Sequence, residues 1–142
     1  MSERPFNIVL VEDAEPDVFL VREALERSGL DFQLEALDDG EKAVEYVEKL
    51  DRYLSIPCPD LLLLDLNLPK RSGVQVIERV RQSHRCKGIP VIILTSSDSP
   101  NDRTKAAQFQ AIYFRKPSGL DEFMKLGPLV KDVLESKRGA GI

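Results

Sequence analysis

The sequence predicts an α/β fold: a doubly wound, five-stranded parallel sheet in the flavodoxin-like order 2-1-3-4-5, with helices on both faces. Two observations predict it. Short apolar runs alternate with longer stretches of helical spacing, and polar residues follow the ends of those runs.

The runs at Phe6 to Val11, Leu61 to Leu64, Val91 to Leu94 and Ile112 to Phe114 are too short for helices and read as buried strands. Gln33 to Leu37 is a fifth, weaker strand. Between them, helical spacing joins Val18, Val21 and Leu25, then Ala43, Tyr46, Val47 and Leu50, then Val76, Ile77 and Val80. A last helix carries Phe123, Leu126, Val130 and Val133, with Pro128 expected to kink or restart it. Gly29 stops the first helix, and Ser99 with Pro100 opens a fourth helix over 101–108. Residues 51–59 form a long connection, and residues 137–142 are expected to be a flexible tail on a single domain spanning 1–142.

Composition narrows the function. Among 142 residues, 20 basic side chains are nearly balanced by 24 acidic ones, which argues against nucleic acid as a partner. No apolar run approaches a membrane span, and nothing resembles a secretory signal, so a cytoplasmic protein is expected. Cys58 and Cys86 lack the paired spacing of zinc sites and read as free thiols in a reducing compartment.

In open parallel sheets, functional groups gather beyond the carboxyl ends of the strands. Here those ends carry Glu12 and Asp13, Asp65, Thr95, and Lys116. Gathered carboxylates repel by roughly 4 kcal/mol per pair at an intermediate dielectric, so such a rim needs cations. Lys116 supplies one, and Mg²⁺ suits an oxygen set without histidine or cysteine. One carboxylate can then attack phosphorus, while Lys116 and the Thr95 hydroxyl stabilise the developing charge. Asp65 is the favoured nucleophile, because a run of four leucines drives a buried strand straight into it.

The motifs VLVEDAEPD, LLLLDLNLPKRSG, PVIILTSSD and YFRKPS, in that order, resemble the receiver domains of two-component response regulators across essentially the whole chain. The resemblance implies phosphorylation of Asp65 by a sensor histidine kinase, with Mg²⁺ held directly by Asp13 and Asp65, by Glu12 through water, and by the backbone carbonyl of Asn67. It implies a contact from Lys116 to the phosphorylated aspartate, a cis Lys116–Pro117 bond, and a Thr95/Tyr113 switch that reshapes the face of the fourth helix and fifth strand. The long connection before the third strand, SSDSPND and KPSGLDEFM are similar to the stand-alone regulators paired with bacterial phytochromes. A homodimer through the fourth helix, fifth strand and fifth helix is expected, with no catalysis on a separate substrate.

Other readings are weaker. A dehalogenase-like phosphatase wants an aspartate where Asn67 stands, and a flavin module wants a phosphate loop where EDAEPD would repel phosphate. A pseudo-receiver would not need the complete acid, hydroxyl and lysine set. His84 reads as solvent-facing, so the donor histidine lies on another protein.

Overall fold

The computed structural model describes residues 4–140. Strands β1 (Phe6–Val11), β2 (Phe32–Leu37), β3 (Leu61–Leu64), β4 (Val91–Thr95) and β5 (Ile112–Arg115) form one sheet in the order β2-β1-β3-β4-β5. All four pairings are parallel, so every strand ends on the same rim. The connections are α1 (Glu15–Arg27), α2 (Gly40–Arg52), α3 (Gly73–Gln82) and α4 (Pro100–Gln108), with α5 (Leu120–Phe123) and α6 (Leu126–Ala140) after β5.

Side chains alternate across the sheet and divide the core in two. Val9, Val11, Leu62, Leu64, Val91 and Ile93 pack with α2, α3 and Ala106 of α4. Ile8, Leu10, Leu61, Leu63, Ile92 and Leu94 pack with α1, α5 and α6. The central strands are therefore apolar at successive positions, as the leucine run predicts. β5 is an edge strand, and its Ile112 is exposed rather than buried.

The helix punctuation is specific. Asp39 caps α2 by accepting from the Lys42 amide at 2.7 Å, and Ser72 with Gln75 forms a capping box on α3. Gly29 takes a φ of 79° after α1, a conformation that a β-carbon disfavours. The predicted last helix is two pieces: a short α5, then α6, which restarts two residues before Pro128, where a missing amide proton costs little. Gly127 lies so close to the Ala24 carbonyl of α1 that a β-carbon there would collide with it. α6 continues through Ala140, within the segment for which a tail is expected; residues 141–142 lie outside the described residues.

The free-thiol expectation is also corrected. Cys58 and Cys86 form a disulfide with their Cα atoms 5.7 Å apart. They precede β3 and β4, which are neighbours in the sheet, so pairing brings together cysteines separated by 28 residues. The same loop is clamped by Arg85, which donates to the Leu50, Tyr53, Leu54 and Ile56 carbonyls. Asp51 adds an ion pair with Arg79 at 2.8 Å and accepts from Ser83. Reduction is expected to lower stability to urea by about 2–4 kcal/mol, with both thiols becoming alkylatable; thiols that react fully without reductant would contradict the disulfide.

Candidate functional site

The rim at the strand ends is built by the backbone before any side chain acts. The ladder continues one residue beyond three of the strands: Glu12 N–H donates to Leu37 at 2.9 Å, Asp65 N–H to Val11 at 3.1 Å, and Lys116 N–H to Thr95 at 2.8 Å. Each of these functional residues is thus held by its neighbour strand, at the place where strand order reverses around β1 and β3.

Glu12 and Asp65 are buried, at 2% and 7% exposure, and Asp13 is exposed. One carboxylate oxygen from each of these three residues lies within 4.8 Å of the others. Such an all-oxygen group fits a hard divalent cation. Asp65 Oδ1 also accepts from the Asn67 amide at 3.0 Å, which orients this carboxylate. Behind it, a β-carbon on Gly73 would strike the Asp65 carbonyl oxygen and Leu66, so glycine permits α3 to begin tight against the segment after β3.

Lys116 reaches into this group. Its ammonium lies 2.5 Å from Glu12 Oε1, 2.7 Å from Asp17 Oδ2 and 3.1 Å from Asp65 Oδ2. Burial works against the ammonium charge, but the hydrogen bonds with Asp17 and Glu12 and the charge of Asp65 outweigh it and raise the lysine pKa. Burial pushes the Glu12 carboxyl up to about 7 from its ordinary 4.5, with Lys116 opposing the rise and Asp65 adding to it.

The sequence-predicted residues Glu12, Asp13, Asp65 and Lys116 are therefore brought together. Asp17, in the first turn of α1, is a fourth carboxylate, to which sequence reasoning assigned no role. Its presence within the EDAEPD stretch was visible, but nothing in the sequence says that the lysine arrives beside it. The Lys116–Pro117 bond is trans, correcting the cis expectation. Lys116 already meets Glu12, Asp17 and Asp65 in the trans form, which X-Pro bonds favour by about 0.5–1 kcal/mol.

Thr95 is fully buried at the end of β4, and its hydroxyl oxygen accepts from the Ser97 amide at 3.2 Å. Tyr113, on β5, donates its hydroxyl to the carbonyl of the same Ser97. The Arg103 guanidinium lies 4.5 Å from the centre of the Tyr113 ring and is tied to Asp98 at 2.7 Å. Thr95 and Tyr113 thus meet through one loop residue, Ser97, which the sequence did not single out. His84 is exposed, as expected.

Fold and site together define a class: the chain belongs to the response regulator receiver domain family, which matches residues 8–126. It is 36% identical over 126 residues to the response regulator Rcp1 of Synechocystis, covering 88% of this chain and 86% of that protein. It is also 34% identical to the probable methanogenesis regulatory protein FilR2 of Methanothrix harundinacea, over 92% of this chain and 84% of that protein. Among solved structures, the phosphorylated cyanobacterial phytochrome response regulator RcpA superposes with a TM-score of 0.82 at 30% identity, covering 94% of this chain and 96% of that one. The Mn²⁺-bound form of Rcp1 gives 0.79 at 35% identity, with 90% and 93% covered. Among the described residues, no helix is long and apolar enough to cross a membrane.

Two outcomes are expected from this geometry. Gly73→Ala should displace the Asp65 backbone and lower stability by about 1–3 kcal/mol, read by urea unfolding. Glu12 binds its proton more tightly folded than unfolded, so folding takes up a proton between pH 4.5 and about 7, and this contribution makes stability fall as pH rises through that window. Glu12→Gln, unfolded in the presence of a chelator, should flatten that part of the profile; a slope equal to the wild type would place the titration elsewhere.

Proposed function

We propose that Asp65 accepts a phosphoryl group from a histidine of a sensor kinase of the bacterial phytochrome type, and that the altered surface carries the signal onward. The observation that carries this reading is the buried Asp65 carboxylate, 3.1 Å from the Lys116 ammonium and within 4.8 Å of oxygens from Glu12 and Asp13. A nucleophile, a fixed cation and the carboxylates for a metal stand within one small volume.

Asp13 and Asp65 would hold Mg²⁺ directly, Glu12 through water and Asn67 through its backbone carbonyl. When bound, the metal neutralises charge on the transferring phosphoryl group. The chain's own residues do the rest. The Asn67 amide holds Asp65 Oδ1, which leaves Oδ2, beside the Lys116 ammonium, to attack phosphorus in line with the departing imidazole. Lys116 and the Thr95 hydroxyl bond the phosphoryl oxygens. The phosphoryl group is dense in charge and acceptors, so it draws in the Thr95 O–H, and the same hydroxyl oxygen accepts from the Ser97 amide and carries that movement to it. Ser97 also holds Tyr113, so its loop transmits the change to the face of α4, β5 and α6, where a homodimer would form. The protein modifies itself and acts on no separate substrate; a cytoplasmic location and output through protein contact rather than DNA complete the proposal.

Incubation with Mg²⁺ and a small acyl phosphate, followed by intact-mass measurement, tests the acceptor. Wild type should gain one phosphoryl group and Asp65→Asn none. Equal labelling of both, or of neither, would overturn the assignment.

A further inference from the structure

An ammonium has three protons to donate, and Lys116 faces three carboxylates. The lysine is therefore saturated before any phosphoryl group arrives, and binding a phosphoryl oxygen requires it to give up a partner. The three partners are not equally able to let it go. The side chains of Glu12 and Asp65 are 1% and 9% exposed, whereas that of Asp17 is 28% exposed. Stranding a buried carboxylate carries a desolvation penalty that a hydrated one largely escapes.

Asp17 also stands apart in its wiring. It lies outside the carboxylate group suited to a cation, which consists of Glu12, Asp13 and Asp65. It sits in the first turn of α1, where the helix end favours a negative charge, and its amide bonds the Ala14 carbonyl at 3.0 Å. Asp17 thus offers Lys116 a prepared and hydrated resting partner.

We infer that Asp17 is a positioning residue for phosphoryl transfer, the holding partner that Lys116 exchanges for the incoming phosphoryl group. This rests on Asp65 being the acceptor, and it adds a residue that tunes the same site. In transfer from a small acyl phosphate, an Asp65 oxygen bonds to phosphorus, the bond from phosphorus to the acyl oxygen breaks, and the carboxylate of the donor leaves with the electron pair; from the kinase, the phosphorus–nitrogen bond breaks and the imidazole leaves instead. Lys116 moves one hydrogen bond from Asp17 to a phosphoryl oxygen and keeps its proton. Asp17 therefore restrains the reaction, both by occupying a donor and by placing a negative charge where an anion must enter.

The test compares wild type, Asp17→Asn and Asp17→Glu as intact chains with Mg²⁺ and acetyl phosphate, following labelling rate against donor concentration by mass. Asp17→Asn should reach half its limiting rate at a donor concentration roughly three-fold lower, with the limiting rate little changed, and the gain should shrink with added salt. Asp17→Glu, which keeps the charge, should behave as wild type. An Asn variant with an unchanged half-saturating concentration, or with a slower limiting rate, would overturn the inference. So would a Glu variant that matches the Asn variant. A second readout needs no phosphorylation: the side-chain nitrogen resonance of Lys116 in lysine-labelled protein should shift in Asp17→Asn, and an unshifted signal would show that no tether exists. Failure of wild type to label would sink the acceptor assignment, while the resonance would still decide the tether.

Discussion

One buried cation organises the functional end of this protein. Lys116 follows the last strand, yet its ammonium bonds Glu12 after the first strand and Asp65 after the third. Without it, the two buried carboxylates would face each other with the neighbouring Asp13 and no fixed positive charge to offset them. The parallel sheet is what makes the meeting possible, because parallel strands deliver all of their following residues to one rim.

Precision at that rim comes from the backbone. The ladder extends past β1, β3 and β5, so Glu12, Asp65 and Lys116 are displayed from hydrogen-bonded main chain rather than from free loops. Gly73 lets α3 press against the Asp65 segment from behind, and the capping box of Ser72 and Gln75 fixes where that helix begins. At the other end of the strands, the disulfide and the Arg85 clamp hold the long connection into β3. The two ends divide the labour: one stabilises the sheet, and the other keeps its polar groups ready for chemistry.

The hydroxyls of Thr95 and Tyr113 share one partner. Thr95 is buried at the end of β4 and Tyr113 lies on the edge strand, yet both are bonded to Ser97, one through its amide and one through its carbonyl. A rearrangement at either hydroxyl therefore disturbs the same peptide segment. Arg103, stacked on Tyr113 and paired with Asp98, links that segment to α4.

Much of this was legible from the residues. Apolar runs of strand length between helical repeats determined the α/β class, and the acids, hydroxyl and lysine that follow those runs determined which side chains would share a rim, because side-chain chemistry and periodicity are local properties. Tertiary structure alone decided the rest. Asp17 became a lysine partner, Ser97 became the link between Thr95 and Tyr113, and Cys58 met Cys86, since each depends on how distant segments are arranged around the sheet. The exposure of Ile112 was decided the same way, by β5 lying at the edge of the sheet. Sequence spacing carries no record of such contacts, because hydrogen bonds and burial between distant segments exist only once the chain has closed upon itself.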